Sequence, residues 1–133
     1  VDIYVLDHDG NLFDASALAS IAALLNAKMK EWVLSASGEL EFKSDLIRLP
    51  VMNYPVEITM VKIDNKLMVD PSLEEEMAAD AQITIAIDKD SRICAMQKSR
   101  SDTLTQDEVL EAVRIAQMKA KELREGVLKE LIG

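Results

Sequence analysis

Apolar residues along this chain follow two rhythms, and the switch between them marks its elements. Residues 1–7, VDIYVLD, alternate weakly, with Val1, Ile3 and Val5 on one face, and predict a strand. DHDGN then reads as a turn in which Gly10 can take positive φ, and Leu12 and Phe13 open a return strand. From Ala15 the spacing becomes three and four. Leu18, Ile21, Ala22, Leu25, Met29 and Trp32 form one stripe and predict a helix over residues 15–32, capped by Asp14 and kept slim by its alanines.

Residues 34–54 carry no sustained helical stripe. Pro50 and Pro55 punctuate them, and Leu40, Phe42 and Leu46 suggest a short extended piece, so the stretch reads as a connector. Alternation resumes at VEITMVKI, with DN as a two-residue turn and KLMVD as the return strand. Pro71 and Ser72 start a short acidic helix, SLEEEMAADA, with its carboxylates at the favourable end of the helix dipole. QITIAID and ICAMQKS predict two more strands about a KDSR turn, the first with Ile83, Ile85 and Ile87 on one face. Thr105 and Glu108 form a capping box for a final helix. Its stripe runs through Val109, Val113, Ala116, Ala120, Leu123, Val127 and Leu131, with Leu110 and Leu128 beside it, over a length of about 40 Å. A helix of that length can overhang its lobe, which makes Leu123, Val127 and Leu131 candidates for an interface. The order β-β-α-β-β-α predicts an α+β lobe over residues 55–133, one mixed sheet backed by two helices. Residues 1–33 read as the end of a different lobe, and 34–54 as the connector.

Composition narrows the class. Of 133 residues, 49% are apolar and 4% aromatic, enough for one core built from aliphatic side chains, with Trp32 as its one large exception. No run approaches the roughly 20 apolar residues of a membrane span, and no signal peptide is visible. The single cysteine, Cys94, lies in an apolar stretch and cannot form an internal disulfide, which fits a reducing, cytoplasmic setting. The chain begins without Met, directly on a strand-like run, as expected of a piece of a longer protein. A net charge of −9 argues against autonomous binding of nucleic acid through general charge. It leaves room for local contact, or for a basic partner that does that work.

Candidate chemistry is sparse. His8 sits in a polar turn with no second histidine, and zinc lacks its usual ligands. Asp7, Asp9 and Asn11 alternate like the start of a calcium loop, but Phe13 breaks the pattern and no carboxylate closes it. Glu74, Glu75, Glu76 and Asp80 crowd one short segment. Glu76 and Asp80, four apart, share a helix face, where they could hold magnesium beside a phosphodiester or form a solvated surface. Lys89, Arg92, Lys98 and Arg100 form a small basic patch suited to a phosphate, without the aromatic residues of a base-stacking platform. No glycine-rich phosphate loop, serine elbow or dinucleotide fingerprint is present.

Longer stretches resemble a known family. YPVEITMVKIDNKLMVDPSLEEEMAADAQITIAIDKDSRICAMQKS, followed by LTQDEVLEAVRIAQMKAKEL, is similar to the C-terminal lobe of the RNase PH family. DIYVLDHDGNLFDASALASIAALLNA resembles the strand-turn-helix that ends its N-terminal lobe, which has the ribosomal-protein-S5-domain-2-like fold. DPSLEEE with GNLFDASALA is most similar to the non-catalytic RNase-PH-like subunit of the archaeal exosome. In phosphorolytic members a catalytic aspartate opens the strand after the short helix, with a second acidic residue six positions earlier. Here those positions hold Gln82 and Glu76. An amide is neither a carboxylate ligand nor a general acid or base. The resemblance therefore implies a subunit that kept the fold and lost the chemistry, needing no cofactor or metal of its own. It would alternate with a catalytic sister subunit in a hexameric ring that threads single-stranded RNA and carries RNA-binding cap subunits.

Two other readings compete. One is an active phosphate-dependent 3′–5′ exoribonuclease using Glu76 and Asp80. The other is a small α+β adaptor with a helical interface, in which residues 1–32 would pack into the second lobe.

Overall fold

A four-stranded antiparallel sheet, in the order β4-β3-β5-β6, organises residues 56–99 of the computed structural model. The strands are β3 (Val56–Ile63), β4 (Lys66–Val69), β5 (Ala81–Ile87) and β6 (Ile93–Ser99). The structure describes residues 1–132; Gly133, the last residue of the expected C-terminal lobe, lies outside them. The expected mixed sheet is antiparallel throughout, because each neighbouring pair of strands runs in opposite directions. Asp64 and Asn65, at φ 47° and 61°, make the two-residue turn between β3 and β4.

The short helix α2 (Leu73–Ala78) and the long helix α3 (Gln106–Gly126) each start with the full capping box, Ser72 with Glu75 and Thr105 with Glu108. Val56, Ile58 and Met60 of β3, with Ile83, Ile85 and Ile87 of β5, form the core face of the sheet. Against them lie Ala112, Ala116 and Ala120 of α3, all fully buried. Alanines spaced by four let the helix backbone approach the sheet closely.

The final helix departs from its expected length. α3 ends at Gly126, and a separate turn, α4 (Lys129–Ile132), follows. The break drops Leu128 fully into the core and leaves Val127 exposed. The buried stripe is thus Ala112, Ala116, Ala120, Arg124 and Leu128, rotated from the one the sequence suggested.

The first third of the chain needs the most correction. Residues 1–7 form no strand, having no strand beside them to complete a ladder among the described residues. Leu12 and Phe13 open α1 (Leu12–Asn26) instead of a return strand, and Asn11, not Asp14, is the N-cap residue. The helix ends six residues early. Met29 and Trp32 fit a helical stripe, but Lys28–Leu34 is strand β1, paired with β2 (Leu40–Arg48) in a separate hairpin. Trp32 consequently stands 52% exposed and is not a core residue. Much of the expected connector is therefore strand. Cys94 is exposed too, at the sheet edge, donating to the Ala86 carbonyl at 3.4 Å. α1 packs along β3, with Ile21 and Leu25 in the same core as the sheet. No helix of the described residues is long and apolar enough to cross a membrane.

One ion pair fixes the start of α3 to the sheet. Lys62 Nζ, almost wholly buried, donates to Glu108 Oε1 at 3.0 Å and to the Thr103 carbonyl at 3.3 Å. The other oxygen of Glu108 accepts the Thr105 N–H at 2.7 Å. That backbone bond first, and then Lys62, hold the Glu108 carboxyl below the usual glutamate range. A depressed carboxyl contributes stability above its unfolded value of about 4.3 and loses it as pH falls through the folded value. The melting temperature should therefore drop between about pH 6 and pH 3, and drop less in Glu108→Gln, as read by thermal denaturation across that range. An equal drop in both proteins would show that the pair does not couple folding to pH.

Candidate functional site

The face of the sheet turned away from α3 carries its polar residues. Gln82, second in β5, is 8% exposed and lies between Val61 of β3 and Ser99 of β6 in the ladder. Alternation puts Thr84 and Ala86 on the same face, with Glu57 and Thr59 of β3 and Gln97 of β6 beside them. Asp14 reaches this face from the first turn of α1. Its Oδ1 accepts from Thr59 Oγ1 and its Oδ2 from the Thr59 N–H, both at 2.7 Å. The one hydroxyl proton of Thr59 goes to that carboxylate, so the Thr84 hydroxyl donates to Thr59 across 2.8 Å. Glu57, Thr84, Gln97 and Phe13 line a small cavity of about 290 Å³. Burial, and secondarily the charge of Asp14, push the Glu57 carboxyl up from its ordinary value.

Behind this face the acidic segment is tied to the turn before α1. Gly10 and Asn11 are both left-handed, at φ 95° and 46°. Asp9 accepts the Leu73 N–H at 2.9 Å, and Glu76 Oε1 accepts the Asn11 N–H at 2.9 Å. Asn11 Nδ2 donates to Asp70 at 2.7 Å and to Asp14 at 3.0 Å. Asp70 in turn donates its N–H to the Thr59 carbonyl at 3.2 Å. Glu76 is thus a ligand of the backbone turn. It does not share a helix face with Asp80, because α2 ends at Ala78 and Asp80 lies beyond it in an exposed bend. The Asp80 backbone bridges the Lys62 carbonyl and the Asp102 N–H.

The four basic residues read as one patch separate into two groups. Lys89 and Arg92 lie at one end of the β5–β6 hairpin, Lys98 and Arg100 at the other. Arg92 is engaged by Asp88 and Asp90 at 2.9 and 2.6 Å, and Lys98 by the Arg100 carbonyl at 2.6 Å. Of the three apolar interface candidates, Leu123 and Leu131 pack against the core and Val127 alone stands in solvent. The larger exposed apolar surface is on the β1–β2 hairpin, where Trp32, Leu34, Leu40, Phe42 and Leu46 share one face. Periodicity missed it by extending the helix through Lys28–Trp32. His8 is exposed, its Nδ1 accepting the Gly10 N–H at 3.4 Å.

Chemically, this arrangement positions more than it reacts. Asp14 accepts from three donors, Glu76 holds a backbone N–H, and Gln82 is a neutral amide. Among the described residues no three His, Cys, Asp or Glu side chains converge as metal ligands would. The roles of Asn11 and Asp70 left no mark in the sequence beyond their turn-forming residue types.

Comparison with known proteins places this geometry. Residues 53–119 match the model of the 3′ exoribonuclease family, domain 2. The exosome complex component Rrp42 of Thermococcus onnurineus is 43% identical over 134 residues, covering 100% of this chain and 49% of that protein. The Rrp42 of Pyrococcus horikoshii is 46% identical over 132 residues, covering 98% and 48%. The chain thus spans about half the length of these curated relatives. An archaeal exosome core superimposes with a TM-score of 0.75 at 42% identity, over 90% of this chain and 46% of the other. An Archaeoglobus fulgidus exosome with RNA bound to the active site gives the same score and identity, over 90% and 44%. Rice Rrp46, at 14% identity and a TM-score of 0.61, shares the fold.

The joint between the Gly10 turn and α2 is testable through its glycine. A Cβ on Gly10 would lie 2.5 Å from the Pro71 carbonyl oxygen, whereas one on Gly38, also at positive φ, meets nothing within 4 Å. Gly10→Ala should lose about 3 kcal/mol in urea unfolding, from strain plus overlap, against about 1 kcal/mol for Gly38→Ala. Equal losses would mean that the turn does not dock tightly.

Proposed function

The chain belongs to the 3′ exoribonuclease family, and we propose that it is the C-terminal half of a non-catalytic ring subunit of an archaeal exosome. The observation that carries this reading is Gln82. It stands where the family's resemblance calls for a carboxylate, buried in the ladder between Val61 and Ser99. A neutral amide there can orient a neighbour by hydrogen bonding but cannot exchange a proton or bind a cation as an aspartate does. Glu76, at the other acidic position, spends its oxygen on the Asn11 N–H. The subunit then contributes shape: it supports the active site of a catalytic sister and part of the path of single-stranded RNA, in a cytoplasmic ring that also carries RNA-binding caps. Lys98 and Arg100, at the Gln82 end of β6, are the basic residues nearest that path on this reading.

The lobes follow. The expected division at residues 33 and 54 shifts on this reading: the β1–β2 hairpin, Lys28–Arg48, stays with the end of the N-terminal lobe, and the C-terminal lobe begins near Val56. α1 is the joint, since Ile21 and Leu25 enter the core of the second sheet. The adaptor reading anticipated that same packing of α1, but the family match and the 42% identity to archaeal exosome structures favour the ring subunit. A two-stranded hairpin is marginal in water by itself, and one that exposes Trp32 and Phe42 side by side calls for cover. On this reading the N-terminal half of the same subunit, which this chain does not span, is the occupant we assign to that face.

Phosphorolysis of a 3′ single-stranded RNA by the full-length subunit tests the proposal, alone and mixed with its sister, with inorganic phosphate and magnesium. Activity should appear only in the mixture, vanish on mutation of the sister's aspartate and survive Glu76→Gln and Asp80→Ala. Gln82→Asp, assembled with an inactive sister, should restore no turnover. Activity of the subunit alone, lost on Asp80→Ala, would overturn the reading.

A further inference from the structure

A basic cavity lies at the far end of β5, about 17 Å along the strand from Gln82. It has a volume of about 710 Å³ and is lined by Tyr54, Lys89, Lys121, Arg124 and Lys129, with Glu125 as its one carboxylate. Arg124 is the unusual member. It is 8% exposed, on the core stripe of α3, and donates Nη1 to the Ile87 carbonyl at 3.0 Å. No carboxylate of the described residues lies within ion-pair distance of it. A buried guanidinium without an anion is costly, because its desolvation is not offset. Lys89 and Lys129 are also without an ion-pair partner among the described residues, and Lys121 reaches Glu125 only at 3.7 Å.

The walls are pinned in place. Asn53 Oδ1 accepts the N–H of Tyr54 at 2.9 Å and of Lys89 at 3.3 Å, which holds those two residues together. Gln117 Nε2 donates to the Ser91 carbonyl at 2.8 Å, fastening the β5–β6 turn to α3. Cations in the last turns of a helix favour its dipole, and that accounts in part for Lys121 and Arg124. It does not account for Lys89, which arrives from the hairpin turn to line the same open cleft.

We propose that this cavity binds a phosphate-bearing anion. The Arg124 fork suits two oxygens of one phosphate, and the lysines supply point charge for a second. Four cations against one carboxylate, on a chain of net charge −9, favour a multiply charged ligand over a single carboxylate. The phosphate can come from an RNA backbone or from a free oligophosphate. The inference does not rest on the ring-subunit reading, and its test reads binding alone.

The full-length subunit would be titrated with inorganic tripolyphosphate by calorimetry. A fluorescein-labelled single-stranded oligoribonucleotide would be followed by anisotropy at several salt concentrations. The comparison is with Lys89→Ala/Lys129→Ala, two exposed positions whose change should leave the melting temperature intact, and with Arg124→Gln, checked for folding. Tripolyphosphate should bind roughly ten-fold more weakly to the double variant. If the RNA backbone is the source, the slope of log affinity against log salt should also fall by about 1.4, at about 0.7 for each lost phosphate contact. An unchanged RNA slope with weakened tripolyphosphate binding identifies the free anion. If neither probe binds, or both bind the variants as they bind the parent, the proposal fails.

Discussion

The attachment of α1 to the open edge of β3 is the constraint on which the rest depends. β4 pairs only with Met60–Ile63, so the backbone of Thr59 lies beyond the ladder. Its N–H goes to Asp14 and its carbonyl to Asp70, and Asn11 Nδ2 joins those two carboxylates. Three acidic side chains, Asp14, Asp70 and Glu76, are thereby gathered around neutral donors. Asn11 meets this requirement at a price: its Oδ1 is buried without a partner, worth about 1–3 kcal/mol of lost solvation. An aspartate in its place would lose the donor and add a fourth negative charge. This joint fixes where Ile21 and Leu25 enter the core, and also where Phe13 and Asp14 meet the polar face.

The second organising contact is the cation at the other end of the acidic segment. Read along the chain, Glu74–Asp80 has no basic residue between Lys66 and Lys89 to balance it. In three dimensions Lys62, on the neighbouring strand, supplies one. Its ammonium is held protonated above the ordinary lysine range, first by the hydrogen bond to Glu108, with Asp102 and Asp80 adding to the effect. Because Glu108 is also the closing residue of the α3 capping box, helix start, strand and bend are set by one pair.

What the sequence made legible follows the physics of local signals. The hairpin of β3 and β4, the Thr105–Glu108 capping box and the isoleucine face of β5 are set by residues within a few positions of one another, and they were readable. Lys28–Leu34 was not, because Met29 and Trp32, three apart, continue the helical spacing of the preceding residues. The choice is made by β2, which lies across a turn. The α3 stripe was legible at Ala116 and Ala120 but not at its end, where the helix stops at Gly126 and Leu128, not Val127, turns inward. For the candidate site, Gln82 and Glu76 were singled out only because the family resemblance points to those positions. The partners of Glu76, and the convergence of Tyr54, Lys89, Arg124 and Lys129, require tertiary structure.

The same physics bears on why Gln82 is tolerated. Burial has already raised the half-buried Glu57 carboxyl on this face, and a carboxylate at the more deeply buried position 82 would meet desolvation of the same sign. An enzyme must offset that with a cation or a metal near the site. Of the two buried cations among the described residues, Lys62 is committed to Glu108 and the Thr103 carbonyl, and Arg124 sits at the far end of β5. With neither buried cation free to pair with it, a carboxylate there would carry a desolvation cost that the neutral amide avoids.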